Sequence, residues 1–181
     1  MCAFTPDDSL LLHSLAEGIV GITPPLGASI AEAAIVCFED QNHAPGAMLI
    51  VSGHAEKSYS VLWEDGNDQI RRCWNDAQVT TEHGAYAVAV LIAESITGLT
   101  VTERSDKGTH IDFWLGVEDE NMPPFVNQAR LEVSGIRCGD RGAIARRMKE
   151  KLARLEGSSN PLSPYVIVVE FGTPTSEVQQ K

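Results

Sequence analysis

The chain has 181 residues, enough for one domain with its own core, so neither a disulfide framework nor a structural zinc is needed to hold it. Hydrophobic residues make up 43% and charged residues 22%, an ordinary globular mixture. The net charge of −11 excludes broad, non-specific adhesion to nucleic acid, although a local basic face or a metal-bridged substrate stays compatible with it.

The N-terminus reads Met-Cys-Ala-Phe-Thr-Pro-Asp-Asp and lacks the basic start of a signal peptide, which points to the cytoplasm. The longest apolar run, Ala85 to Ala93, is too short for a membrane span, so no membrane partner is expected. Cys2, Cys37, Cys73 and Cys138 are far apart and form no CxxC pair; buried free thiols are the expectation.

Residues 28–40 are rich in Ala and free of Gly and Pro, which predicts a helix, with Pro24-Pro25 and Gly27 as breakers ahead of it. Ala47–Ser52 and Tyr59–Trp63 read as two strands of a hairpin, and Asp65-Gly66-Asn67 as a turn. A second helix is expected over Asp76–Thr97 with Gly98 as its stop; Gly84 inside it marks either a close backbone approach or a kink. Strands follow at Leu99–Arg104 and Thr109–Leu115, joined by a short Gly-containing connector. After an acidic loop with Pro123-Pro124 comes a third, Ala129–Ile136. Asp140 is a good N-cap for a helix over Arg141–Leu155, which Gly157-Ser158-Ser159-Asn160-Pro161 ends. Tyr165–Phe171 is nearly all apolar and reads as a buried central strand; the polar stretch 173–181 is expected to be a flexible tail. The fold class that results is α/β, a mixed sheet flanked by helices.

Strand alternation places Ile111, Phe113 and Leu115 on one face and His110, Asp112 and Trp114 on the other; in the next strand Arg130, Glu132 and Ser134 share a face. If those strands are neighbours, Asp112 and Glu132 converge. Two adjoining carboxylates repel unless a proton or cation intervenes, and an oxygen-rich pair of this kind suits Mg²⁺ or Mn²⁺.

A helix bearing Glu82, then Asp112 after a hairpin, then Glu132-Val133-Ser134, then a helix and a strand: over roughly residues 80–171 this order resembles the core of the PD-(D/E)XK nuclease superfamily. The phrases TEHGAY, ERSDKGTHIDFWL and ARLEVSGI also resemble segments of uncharacterised bacterial proteins. The nuclease resemblance implies a restriction-endonuclease-like core, α-β-β-β-α-β, within residues 76–172, residues 1–75 being a helix and hairpin extension. It implies Asp112 and Glu132 as metal ligands, Glu82 as a helical acidic partner, and phosphodiester hydrolysis. The chain departs from the family where Glu-x-Lys becomes Glu132-Val133-Ser134, since a serine carries no charge for the phosphate.

Lys151 is the first candidate to replace that lysine. It falls in the middle of the apolar stripe Ile144, Met148, Leu155, with Arg147 at the edge; it either reaches Glu132 or packs its stem and snorkels to water. Lys107, in the turn before Asp112, is the second candidate. Helix 141–154 carries Arg141, Arg146, Arg147, Lys149, Lys151 and Arg154, either a strip facing DNA or RNA or a solvated amphipathic face. His83 and His110 are a ligand, a general base or structural hydrogen-bonders. Trp63, Trp74 and Trp114 are expected in the core. Two functions stand: a Mg²⁺- or Mn²⁺-dependent nuclease using Glu82, Asp112, Glu132 and Lys151, or a non-catalytic scaffold on the same fold acting through a protein partner or a homodimer.

Overall fold

The computed structural model describes residues 9–117, 127–156 and 160–181. One mixed sheet of eight strands runs through it. In chain order the elements are β1 (Ser9–Leu11), a 3-10 turn (Leu12–Glu17), α1 (Pro24–Asp40), β2 (Ala47–Gly53), β3 (Lys57–Leu62), α2 (Asp68–Cys73) and α3 (Ala77–Thr97). They continue with β4 (Thr100–Arg104), β5 (Phe113–Gly116), β6 (Asn127–Ile136), α4 (Arg141–Arg154), β7 (Pro164–Glu170) and β8 (Thr175–Gln180). Across the sheet the order is β1-β3-β2-β8-β7-β6-β5-β4.

β4, β5 and β6 form an antiparallel meander, and α4 then carries the chain over to β7, which pairs parallel with β6. A parallel pair needs such a crossover, because a tight turn can only reverse the chain. β7 is buried along its whole length, as its apolar sequence requires. The helices split between the faces. α1 and α3 pack with Leu49, Val51, Leu131, Val133 and Ile167 in the larger core. α4 sets Ile144, Met148 and Leu155 against Val166 and Val168 on the other side.

Local signals explain the helix ends. Asp76 Oδ1 accepts from Gln78 N and Val79 N at the start of α3, Gly98 closes it with φ 69°, and Asp140 Oδ1 accepts from Ala143 N at the start of α4. Gly84 marks a close approach, since a Cβ there would lie 2.9 Å from Cys37 Sγ and 3.1 Å from Ala34 Cα of α1. Glu170, fully buried, accepts from the backbone N–H groups of Gly139, Gly172 and Thr173, tying the entry to α4 to the turn after β7.

Several expectations are corrected. Pro24, Pro25 and Gly27 are not breakers: the prolines occupy the first turn of α1, where a missing N–H costs nothing, and Gly27 lets the helix pass Leu15 O. α2 follows the expected Asp65-Gly66-Asn67 turn as a short helix with no sequence expectation behind it, capped by the Asn67 side chain. Residues 9–75 give three strands to the same sheet. Residues 173–181 are not a flexible tail: β8 lies inside the sheet between β7 and β2, with Ser176 and Val178 buried. Its burial alternates, with Ser176 and Val178 inward and Thr175, Glu177 and Gln179 half-buried, a pattern that the polar composition hides. Cys37 is buried, but Cys73 and Cys138 are exposed. Trp63 is buried, while Trp74 and Trp114 are half-buried. Cys2, the loop with Pro123-Pro124 and the Gly157-Ser158-Ser159 break lie outside the described residues. Among the described residues no helix is long and apolar enough to cross a membrane.

The position of β8 yields a direct test. Ending the chain after Pro174 removes one of the two strands on which β7 is hydrogen-bonded and exposes two internal edges. Circular dichroism of the truncated protein should show loss of cooperative unfolding; a flexible tail would have left the melting curve unchanged.

Candidate functional site

β6 has ten residues and β5 has four. Their register ends at Phe113↔Leu131, so residues 132–136 have a strand partner on the β7 side alone. Above and below this open stretch lie α3 and α4. The result is a cleft of about 580 Å³ lined by residues that include Thr81, Glu82 and Tyr86 of α3, Val133 to Gly135 of β6, Arg147 and Lys151 of α4, and Asp112 and Arg137.

Asp112 sits one residue before β5, where Asp112 N donates to Leu131 O. Continuing the register places it opposite Glu132. The expected strand 109–115 is therefore too long by four residues at its start. His110 has φ 59°, the chain bends, and Ile111 turns away from Phe113 into the smaller core beneath α4. That bend frees the Asp112 carboxylate from strict alternation. Its Oδ2 accepts from Val133 N at 2.8 Å, capping the open edge of β6, and its Oδ1 accepts from the Tyr86 hydroxyl at 2.9 Å.

Tyr86 also lies 3.0 Å from Glu82 Oε1. A phenol carries one proton, so a single donor is shared between two carboxylates. Burial, then Asp112, then Glu82 push the Tyr86 pKa up, and the ring stays neutral. Glu82 and Tyr86 are one helical turn apart, a spacing visible in the sequence, but Tyr86 stands at the head of an apolar run and reads there as core.

Glu132 points to the α4 face, since it pairs with Val166. It is 6% exposed. Lys151 Nζ donates to its Oε1 at 2.5 Å, so the lysine in the apolar stripe reaches the carboxylate rather than water. Burial first, then the nearby Asp112 charge, push the Glu132 pKa up to about 7, and Lys151 partly offsets them. One step along β6, Ser134 Oγ accepts from Arg147 Nη1 at 2.8 Å. Arg137 is committed elsewhere, donating to Cys37 Sγ and pairing with Asp40.

Contacts thus link Glu82, Tyr86, Asp112, Glu132 and Lys151, with Arg147 beside them, but Glu132 is buried and, unlike Glu82, Asp112, Lys151 and Arg147, does not line the cleft. Lys107 and His110 are exposed in the turn before Asp112 and do not line the cleft. His83 packs between Trp74 and Tyr86, and burial lowers its pKa. Among the described residues no three His, Cys, Asp or Glu side chains gather closely enough to cage a metal ion by themselves. What is present is a pair of carboxylates, with Glu82 held off by the Tyr86 hydroxyl. Comparison with protein-family models, with curated proteins and with solved structures finds no match for the chain.

The Glu132–Lys151 pair makes a pH-dependent prediction. With its folded pKa raised, Glu132 holds a proton in the native state between about 4.5 and 7 that the unfolded chain releases, so its contribution to stability is lost as pH rises through that window. Lys151→Met should destabilise the protein by about 2–4 kcal/mol at pH 8, where an unpaired buried carboxylate remains, and by much less at pH 5, where Glu132 is protonated. Adding Glu132→Gln should restore most of the loss. Urea unfolding of the single and double variants at both pH values measures this coupling.

Proposed function

We propose that the cleft is the active site of a divalent-metal-dependent phosphodiester hydrolase acting on DNA or RNA, on a restriction-endonuclease-like core. The observation that carries the reading is the opposition of Asp112 and Glu132 at the open end of β6. The order α3-β4-β5-β6-α4-β7, with β6 and β7 parallel across α4, supports it.

The donor set fits Mg²⁺ or Mn²⁺. Both groups are hard oxygen donors, and Mg²⁺ is commonly held by one or two carboxylates with waters and substrate phosphate completing its shell. Asp112 and Glu132 would hold the ion; when bound, it polarises the phosphate and lowers the pKa of a water. The protein's own groups prepare that site. Val133 N and Tyr86 each donate to a different oxygen of Asp112, which fixes the carboxylate and leaves each oxygen a free lone pair. Lys151 favours the ionised form of Glu132 against its burial. Glu82 acts through Tyr86, restraining the hydroxyl that holds Asp112. On α4, Arg141, Arg146 and Arg154 are exposed and give DNA or RNA a basic approach beside the cleft.

A non-catalytic binding role, through protein partners or a second copy, is the other reading. The closed Glu132–Lys151 ion pair favours it, because a lysine neutralised inside the protein has no charge to spare for a phosphate.

Metal binding and cleavage separate the two. Mn²⁺ or Mg²⁺ should raise the melting temperature of the wild-type protein, since a ligand of the native state stabilises it, and Asp112→Asn should abolish the shift while the protein stays folded. Protons compete for Glu132 below about pH 7, so Mn²⁺ affinity should rise from pH 6 to pH 8. Single- and double-stranded DNA and RNA should be assayed with Mn²⁺ well below the melting temperature, where Asp112→Asn should reduce cleavage by at least a hundredfold. Wild-type inactivity on every substrate, with no metal-induced shift, would overturn the nuclease reading.

A further inference from the structure

We propose that Arg147, seated on Ser134, is the phosphate-binding residue of the cleft. The inference deepens the phosphodiester reading by assigning the group that receives the substrate's phosphate.

Glu132 and Ser134 are two residues apart on β6, so they share a face roughly 7 Å apart. Lys151 and Arg147 are one turn apart on α4, about 6 Å along its axis. The two elements therefore meet in two rungs. In the first, Lys151 Nζ sits on Glu132 Oε1 at 2.5 Å and the charges cancel. In the second, Arg147 Nη1 donates 2.8 Å to Ser134 Oγ, a neutral acceptor, and its contact with Gly135 O is long at 3.5 Å.

The second rung therefore keeps a positive charge. The carboxylate paired with Arg147 is Glu150, 3.7 Å from Nε with both side chains about half exposed, a geometry that contributes little. The other two cations lining the cleft are spent, Lys151 on Glu132 and Arg137 on Asp40 and Cys37. Among the described residues, Arg147 Nη2 makes no hydrogen bond. A guanidinium with Nη1 anchored, Nη2 open and Nε only loosely paired with Glu150 can present donors to the oxygens of a phosphate. Ser134 is then a positioning residue: its hydroxyl holds the guanidinium against the floor of the cleft. In a chain of net charge −11, one such uncancelled cation beside two carboxylates gives a polyanion a defined place to enter.

The test measures binding without metal, so it does not depend on hydrolysis. A fluorescein-labelled 12-mer of oligothymidylate is titrated in EDTA by anisotropy, and inorganic phosphate is titrated by NMR of the arginine side-chain N–H groups. Arg147→Gln should weaken the oligonucleotide roughly tenfold and lower the salt slope by about one. Lys149→Gln removes the same charge from the far side of α4, roughly 200° around the helix from Arg147, and should change affinity less than twofold. Ser134→Ala should lose part of the affinity with its charge intact, and Arg147→Lys should fall between wild type and Arg147→Gln. If the oligonucleotide binds far more tightly than inorganic phosphate and both respond to Arg147→Gln, the seat takes phosphate as part of a strand. If the two bind alike, it takes the free ion. Equal losses in Arg147→Gln and Lys149→Gln, no loss in Arg147→Gln, or no binding of either probe by the wild type would overturn the proposal. Melting curves guard against unfolding, and Arg147→Lys keeps the test valid should Arg147→Gln fail to fold. A protein that binds through Arg147 and cleaves nothing with Mn²⁺ would lose the hydrolase reading alone; one that cleaves with unchanged Arg147→Gln affinity would lose the Arg147 assignment alone.

Discussion

β5 stops at Phe113 while β6 continues for five more residues past Leu131, and that mismatch in length shapes everything around the cleft. A strand end inside a domain needs partners for its free edge. Asp112 supplies one by accepting from Val133 N, and the same contact pins the carboxylate opposite Glu132. The side chain that repairs the sheet edge is thus also the one that brings two acidic groups together. α3 can lie close above the open stretch because Gly135 has no Cβ; one would sit 2.4 Å from Thr81 O.

The electrostatics follow from the same arrangement. Glu132 is buried because it faces α4 across a covered part of the sheet, and a buried carboxylate beside another one resists ionisation. Lys151 offsets this from one turn of α4, and Arg147 extends over Ser134 from the next. The three charged side chains of this wall, with Ser134 between them, form a graded series: a buried ion pair, then a cation whose pairing with Glu150 is long and half exposed. On the opposite wall the single Tyr86 proton serves both Glu82 and Asp112, which keeps those carboxylates apart without neutralising either. Any cation entering between Asp112 and Glu132 would meet oxygens that are already oriented, at the cost of competing with a proton on Glu132 near neutrality.

Much of this frame was legible along the chain. The helix over 76–97 with its Asp76 and Gly98 ends, the β2–β3 hairpin, the Asp140 cap and the apolar β7 rest on local propensities that act within a few residues. The α-β-β-β-α-β order was readable for the same reason. β8 was not, because Thr-Ser-Glu-Val-Gln-Gln is polar by composition and becomes a strand only through pairing with β7 and β2 on either side. Pro24, Pro25 and Gly27 look like breakers along the chain, yet a proline is favourable in the first turn of a helix and a glycine is required there by a neighbour, Leu15, that lies outside the helix.

At the candidate site the division is similar. Strand alternation singled out Asp112 and Glu132, and the apolar stripe singled out Lys151, since such charges conflict with ordinary burial; Glu82 entered only with the resemblance to the nuclease core. The sequence alone left open whether Lys151 reaches Glu132 or water, and it gave no reason to attach Tyr86 to Asp112 or Arg147 to Ser134. Those contacts join residues 26 and 13 positions apart. Only the tertiary structure decided them, because they depend on where β5 ends, how tightly α3 packs on Gly135, and which turn of α4 lies over Glu132; distances between elements are set by packing across the sheet, and no local pattern encodes them.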